Sequence, residues 1–194
     1  AIRKHIAEYY AMITHMDAEM GRVLEALEAC GETEDTIIVL AGDNGLALGQ
    51  HGLMGKQNLY DHSVRVPLVM AGPGIPAGGR SDALCYLYDI YPTLCQLAEL
   101  PIPETVEGRS LVPAFEGATV RERLMLAYCH QMRGVRDDRF KLIETVVDDR
   151  RTTQLFDLKE DPWELENLAG DPLHEKRLEA LRSRLETFPD EHND

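Results

Sequence analysis

The segment Thr36-Ile37-Ile38-Val39-Leu40 runs directly into AGDNGLALGQHGLMGK, residues 41–56, and this junction decides the fold. The apolar run has no alternation, a pattern typical of a strand covered on both faces in a parallel sheet. The polar segment carries Asp43, Asn44, His51 and Lys56 among five glycines, so it adds little to a core. We therefore predict a ligand-binding loop at the carboxyl end of a strand, where open α/β sheets bind their ligands.

The overall composition excludes several classes of partner. The chain has 194 residues, is 44% hydrophobic and carries a formal charge of -14. The hydrophobic fraction is sufficient for a core, whereas nucleic acid and anionic lipid require concentrated Lys and Arg. No run approaches the roughly 18 apolar residues of a membrane span. The sequence therefore predicts neither a nucleic-acid nor a membrane partner.

The cysteines and the first residues bear on redox state and processing. Four widely spaced cysteines without a CxxC pair predict mainly buried free thiols rather than a zinc or redox site. They are Cys30, Cys85, Cys95 and Cys129.

The sequence opens on alanine and enters helical periodicity at once, with no leader of the signal-peptide kind. We therefore expect the chain to begin in the middle of a fold.

Residues 1–117 carry an α/β pattern. Apolar residues at helical spacing predict a long first helix, which Gly31 is placed to end. Two strands then flank the polar loop, and a helix follows with proline in its first turn. The predicted elements are a helix at Ile2–Cys30, strands at Thr36–Ala41 and Val66–Met70, a helix from Asp89 to about Leu100 and a short helix around Ser110–Phe115.

Residues 118–194 change to short apolar runs separated by turn residues, which predicts a small antiparallel sheet. The strands are expected at Leu124–Cys129, Gly134–Arg136, Phe140–Ile143 and Gln154–Leu158. A final helix from Pro172 to about Phe188 carries one apolar stripe, so we expect it to cover one face of this sheet. The chain is thus predicted to hold part of an α/β core and a small α+β subdomain.

The loop after the first strand carries the candidate metal ligands. Gly42 and Gly45 permit tight backbone around Asp43 and Asn44. Carboxylate and amide oxygens are a hard ligand set, suited to Ca²⁺ or Mg²⁺. Because calcium takes about 6–8 oxygens, the other ligands must come from elsewhere. The alternative is that Asp-Asn-Gly simply forms a turn.

Lys56 and His51 extend the candidate site toward catalysis. Lys56 follows Asp43 by thirteen positions and is predicted to hold a tetrahedral anion against the metal, unless it is a solvated surface residue. His51 either donates a proton to a leaving group or holds the loop through a backbone carbonyl, and His62 is assigned to structure. The sequence lacks a GxSxG elbow, a P-loop, a GxGxxG turn and HExxH, so it shows no nucleophile.

Four ordered segments closely resemble the C-terminal portion of the sulfatase family in the alkaline-phosphatase superfamily. They are YYAMITHMDAEMGRVLEAL at 9–27, TIIVLAGDNGLALGQHGLMGKQNLYDHSVRVPLVMAGPGI at 36–75, LYDIYPTLCQLAEL at 87–100 and LFDLKEDPWELENLA at 155–169. The resemblance implies part of an alkaline-phosphatase-like sheet with helices, followed by a small antiparallel sheet packed with a C-terminal helix. Asp43 and Asn44 match the family's later calcium-binding pair, Lys56 its sulfate-contacting lysine and His51 a recurring Gly-x-His-Gly.

The family's nucleophile segment is absent from this sequence. Cys-x-Pro-Ser-Arg, whose cysteine becomes formylglycine, is missing together with the first metal-binding aspartates. The resemblance thus implies the last part of a sulfatase, without turnover of its own. The parent enzyme is expected to cleave a sulfate ester, such as one on a glycan, with Ca²⁺ or Mg²⁺. The family is frequently exported, which weakly favours a periplasmic or extracellular location.

Two other functions stay open at this point. One is a phosphonate monoester or phosphodiester hydrolase of the same superfamily, although Asn44 in place of histidine favours sulfate. The other is a non-catalytic module that binds calcium or an acidic glycan through the loop. Candidate contributors to a leaving-group pocket lie in the second sheet, and the alternative for each is a surface or structural role. They are His130, Gln131, Arg133 and Arg136. A core without its neighbours exposes apolar surface, which predicts homo-oligomer formation.

Overall fold

The computed structural model describes residues 2–187, a mixed α/β arrangement in which helices flank three small antiparallel sheets. The helices are α1 (Ile2–Cys30), α2 (Asp61–Val64), α3 (Ile90–Leu97) and α4 (Glu175–Glu186). The strands are β1 (Ile38–Ala41), β2 (Ala47–Leu48), β3 (Met54–Gly55), β4 (Leu68–Ala71), β5 (Leu124–Tyr128), β6 (Met132–Arg136), β7 (Phe140–Val147) and β8 (Arg150–Asp157). Short 3-10 turns complete the chain, including Val112–Glu116 where the sequence predicts a short helix.

Helix α1 has the predicted bounds. It ends at Cys30, and Gly31 follows in the left-handed conformation with φ 75°. No residue of α1 is buried, and its apolar side chains Met12, Met16 and Val23 are exposed. No helix among residues 2–187 combines the length and the apolar character needed to cross a bilayer. Homo-oligomer formation through such exposed surface stays a prediction.

The parallel pairing expected for the first strand is wrong. Strand β1 pairs antiparallel with β4 in a two-stranded sheet, with Ile38 opposite Ala71 and Ala41 opposite Leu68. None of the four β1 residues is buried. A continuous apolar run indicates faces that can be covered, but it does not fix the direction of pairing. Here the chain returns from β1 through a loop, a hairpin and one helical turn rather than through a crossover helix.

The predicted antiparallel meander is present as the sheet β5-β6-β7-β8. Strands β7 and β8 extend beyond the predicted runs and pair from Phe140–Asp157 to Val147–Arg150. Helix α4 covers one face, as predicted, because Leu181 packs with Val135, Leu142 and Leu155. The expected end of this helix near Phe188 lies outside the described residues.

The second face of this sheet is covered by the segment that leads into α2. Leu59 is buried with Ile143 and Phe156, and Tyr60 and Val64 pack against them. Gly134 in β6 permits this approach, because a Cβ built there would lie 3.3 Å from Leu59 Cδ1. The polar loop of the first half of the chain is therefore joined to the second half through a shared apolar cluster. The boundary at residue 117 stays a prediction.

The expectation of mainly buried cysteines is wrong. All four are free thiols, and of these only Cys95 is buried while Cys85 is partly exposed. Cys30 is exposed because it ends α1, whose surface is uncovered among the described residues. Cys129 is exposed in the turn between β5 and β6, with φ 46°.

Candidate functional site

Asp43 and Asn44 lie immediately after β1, and both are exposed. Neither side chain has a hydrogen bond or an ion pair with any residue in the range 2–187. The backbone beside them is fixed, because Gly42 N–H donates to the carbonyl of Pro67 at 3.1 Å and Gly45 N–H donates to that of Ser63 at 2.8 Å. The loop therefore presents two unpaired oxygen donors from a held backbone.

Gly45 is required by a close backbone contact with α2. A Cβ built on Gly45 would lie 2.0 Å from the carbonyl oxygen of His62, a separation that no side chain tolerates. The alternative of a simple Asp-Asn-Gly turn explains a glycine but not this contact. The third residue of the motif thus locks the candidate metal loop onto α2.

Lys56 follows the small hairpin β2–β3, in which Ala47 pairs with Gly55. Its side chain is exposed and has no ion pair among the described residues. Its backbone is held in a turn, since its carbonyl accepts from Asn58 N–H at 2.9 Å and its N–H donates to Gln57 Oε1 at 3.2 Å. Lys56, Asp43 and Asn44 all lie between β1 and α2, and it stays a prediction that they share one bound ion.

His51 is fixed by contacts of the kind expected for loop support. It adopts φ 54°, and its ring stacks on Tyr60 with centroids 3.9 Å apart and planes at 5°. Its Nε2 lies 3.1 Å from the carbonyl oxygen of Trp163. This carbonyl contact matches the loop-holding alternative, and the predicted proton donation stays a prediction.

A buried ion cluster beneath this loop was missed in the sequence. Lys141 in β7 is fully buried, and its Nζ lies 2.5 Å from Asp61 Oδ1 and 2.5 Å from Glu164 Oε1. The same ammonium donates to the carbonyl of Leu59 at 3.0 Å. Two hydrogen bonds and the short ion contact with Glu164 surround the ammonium, and such pairing is the condition for burying a charge at tolerable cost. Lysine within the apolar run Phe140–Ile143 was the available sequence signal.

Further contacts extend this ion cluster to α2 and β6. Arg136 Nη1 donates to both oxygens of Asp61 at 3.1 and 3.2 Å, and Asp61 N–H donates to Glu164 Oε2 at 2.6 Å. Burial raises the pKa of Glu164, although the Lys141 charge and hydrogen bond oppose that shift. Glu164 itself has φ 57°, a left-handed conformation that is strained for a residue with a side chain.

His62 lies within this arrangement, with its ring beside those of His51 and Tyr60. Burial lowers the pKa of His62 below 6.5, electrostatic interactions with His51 and Lys141 lower it further, and Asp61 opposes them. Its Nε2 is buried and has no hydrogen-bond partner among residues 2–187. The structural assignment of His62 therefore accounts for its packing but leaves one ring nitrogen unsatisfied.

The four residues sought as pocket contributors divide into two groups. Arg136 belongs to the ion cluster, and Arg133 donates to the carbonyls of Cys129 at 2.5 Å and Met132 at 2.9 Å. His130 and Gln131 are exposed in the turn between β5 and β6. The two arginines thus have structural partners, and the two turn residues are exposed.

The described residues do not build a complete metal site by themselves. Residues 2–187 contain no cluster of three or more His, Cys, Asp or Glu side chains able to hold an ion. Asp43 and Asn44 fit a hard cation by donor type and by their lack of competing partners. They would supply two of its ligands.

Comparison with known families decides the lineage. Residues 49–191 match the family described as N-sulphoglucosamine sulphohydrolase, C-terminal. The chain belongs to the sulfatase family. Within sulfatases, N-acetylglucosamine-6-O-sulfatase of Bacteroides thetaiotaomicron is 32% identical, over 99% of this chain and 37% of that protein.

Solved structures extend the sulfatase comparison to the fold. A structure described as a complex with its substrate D-glucosamine-2-N,6-O-disulfate matches with a TM-score of 0.82 and 31% identity, over 90% of this chain and 38% of that one. The phosphonate monoester hydrolase of Agrobacterium radiobacter matches with a TM-score of 0.75 and 29% identity, over 91% and 40%. This sulfatase chain thus spans less than half the length of each of these relatives.

Proposed function

We propose that this chain is the C-terminal part of a sulfatase that hydrolyses sulfate esters carried on a glycan. The observation that carries the proposal is the family match, which begins at residue 49 inside the loop that presents Asp43, Asn44 and Lys56. Two of the similar proteins are named for sulfated amino sugars, which supports a glycan as the carrier of the ester. In the parent enzyme, β1 and β4 would join a larger alkaline-phosphatase-like sheet.

Asp43 and Asn44 would hold a calcium ion, or magnesium by the same oxygen chemistry. Both side chains are exposed and unpaired among the described residues, while the backbone beside them is fixed at Gly42 and Gly45. A bound divalent cation supplies electrostatic stabilisation of charge on the sulfate oxygens. The family's formylglycine nucleophile would come from outside this sequence.

Lys56 would bind the sulfate oxygens directly. No carboxylate within residues 2–187 pairs with its ammonium, so an anionic ligand meets no internal competitor. At a separation of 4 Å such a pair gains about 1 kcal/mol in bulk water and about 4 kcal/mol at a protein surface of lower effective dielectric. The ammonium would hold the ester and stabilise charge that develops on its oxygens.

His51 would protonate the leaving alcohol only in its charged form. A neutral imidazole has one N–H, and if this proton lies on Nε2 it donates to the carbonyl of Trp163 at 3.1 Å. The second nitrogen is then an acceptor. Proton donation from His51 therefore requires an imidazolium, whereas loop support does not.

The test uses the complete gene product that contains this chain. We expect Lys56→Ala to lower kcat/KM for an aryl sulfate by about 100-fold, a loss typical of removing one preorganised charge contact. Lys159→Ala is the matched control, because Lys159 is exposed after β8. Wild-type activity in the Lys56 variant would remove this lysine from the mechanism.

A phosphonate monoester hydrolase is the second candidate, favoured by the Agrobacterium radiobacter structure. The two functions separate by the ratio of kcat/KM for aryl sulfate and aryl phosphonate esters measured on one preparation. A sulfatase gives the higher value for the sulfate. A higher value for the phosphonate would assign the protein to the second function.

A further inference from the structure

A pocket of about 300 Å³ lies between the polar loop and the turn that precedes Glu164. Its walls come from two distant parts of the chain, which the ion cluster described above holds together. Its lining includes His51, Asp61, His62, Arg65, Trp163 and Glu164. The volume is at the lower end of the range of small-molecule sites, so it suits one ring rather than an extended chain.

The ion cluster that adjoins this pocket has one more cation than it has carboxylates, although the whole chain carries -14. Of its members, Arg65, Asp61 and Glu164 line the pocket. Three cations, Lys141, Arg136 and Arg65, face two carboxylates, Asp61 and Glu164. Lys141, which is buried, and Arg136, which is partly exposed, are already paired with these carboxylates. Arg65 has a side chain that is 68% exposed and lies 3.9 Å from Asp61, so its guanidinium remains available to an outside anion.

Trp163 gives the pocket an apolar wall. Its residue surface is 69% exposed, yet its backbone is fixed through the contact of its carbonyl with His51. An exposed indole on a held backbone offers a flat, rigid surface against which the C–H face of a sugar ring can pack. The buried Nε2 of His62, unpartnered within residues 2–187, adds a polar group that can satisfy a hydroxyl.

We propose that this pocket binds a single acidic sugar unit, with its ring against Trp163 and its sulfate or carboxylate on Arg65. The choice of a sugar rests on the proposed function, but the binding residues are separate from Asp43, Asn44 and Lys56. In the parent enzyme the pocket is then an accessory subsite that holds a neighbouring unit of the glycan. Arg65 selects charged over neutral units because it is the one lysine or arginine among the lining residues, and its guanidinium is largely exposed.

The experiment uses the fact that Trp163 is the only tryptophan of the chain. The 194-residue chain is titrated with N-acetylglucosamine 6-sulfate while indole fluorescence is followed. Neutral N-acetylglucosamine and inorganic sulfate are titrated in parallel. We expect a saturable change in fluorescence with the sulfated sugar. Each of the other two compounds should bind at least about tenfold more weakly, because N-acetylglucosamine lacks the charge-assisted contact and inorganic sulfate lacks the ring.

Variants assign the binding to this pocket. We expect Arg65→Ala to lower the affinity for the sulfated sugar by about tenfold. Arg150 is an exposed arginine at the far end of β8, and Arg150→Ala should leave this affinity unchanged. Lys56→Ala should leave the titration of the Trp163 indole signal unchanged, which separates this pocket from the proposed sulfate site. Trp163→Ala, followed by calorimetry, should weaken binding while Trp163→Phe retains most of it.

Three results would overturn the assignment. They are an indole signal that does not respond to the sulfated sugar, equal affinity for inorganic sulfate alone, and a loss that follows Lys56→Ala instead of Arg65→Ala. None of these results depends on ester hydrolysis by the complete protein. Failure of this subsite and failure of the sulfatase assignment are therefore distinguishable.

Discussion

Replacing Lys141 tests how the polar loop is held on the second sheet. Lys141→Met keeps most of the side-chain volume but leaves Glu164 without its cation in a site where both residues are almost fully buried. Removing one partner of a buried pair costs about 3–5 kcal/mol. For a chain of this size that corresponds to a Tm lower by roughly 6–20 °C. Asp61 loses less, because Arg136 still donates to both of its oxygens.

The assay is urea unfolding of wild-type and variant chains, with the midpoint and slope fitted separately. Lys159→Ala is the exposed control, expected to lie within about 0.5 kcal/mol of wild type. In a double variant, Lys141→Met with Glu164→Gln, the uncompensated carboxylate is gone, so part of the stability should return. A Lys141→Met chain within about 1 kcal/mol of wild type would refute the reasoning, because the buried cluster would then not hold these segments together.

Three further predictions concern the same loop. His62 has a lowered pKa in the folded state, so the unfolded chain takes up its proton first and stability is lost as the pH falls below 6.5. Urea unfolding between about pH 7.5 and 5.5 should show a smaller loss of stability in His62→Gln than in the wild type. An unchanged dependence of stability on pH would exclude His62 as the source of the loss. Gly45→Ala should destabilise the chain by more than about 3 kcal/mol, because its Cβ would collide with the backbone of His62. Gly21→Ala, with no atom within 4 Å of its Cβ, should stabilise α1 by about 0.5–1 kcal/mol. Equal thermal shifts of the two variants would contradict the close contact with His62. Calorimetry on the 194-residue chain should show no tight calcium binding, because residues 2–187 hold no complete ligand cluster, and a micromolar site abolished by Asp43→Ala would instead support a stand-alone calcium module.

Local patterns in the sequence were sufficient for elements whose stability is decided locally. Helix α1 has its predicted bounds because apolar spacing and Gly31 act within one segment. The four-stranded meander also follows from short runs separated by turns, since neighbouring strands along the chain pair with each other. The pairing direction of β1 was wrong because a run of Ile, Val and Leu contains no information about its partner.

Long-range polar contacts were beyond the sequence reasoning. Lys141 meets Asp61 across 80 positions, and Asp61 meets Glu164 across 103. No local period relates these residues, and a single lysine in a strand does not reveal which carboxylates will neutralise it. The loop residues Asp43 and Asn44 were easier to single out, because they follow an apolar run and lie between glycines. The sequence left two roles open for His51, because proton donation and loop support both place the histidine in the same loop.

The calcium content of the complete protein tests the central claim most directly. Wild-type protein and the Asp43→Ala variant are purified, dialysed against metal-free buffer and analysed for bound calcium by mass spectrometry, alongside aryl sulfate hydrolysis. The account predicts calcium in the wild type, and a variant that loses both the ion and the activity. A variant that retains bound calcium and hydrolyses the ester at the wild-type rate would contradict it.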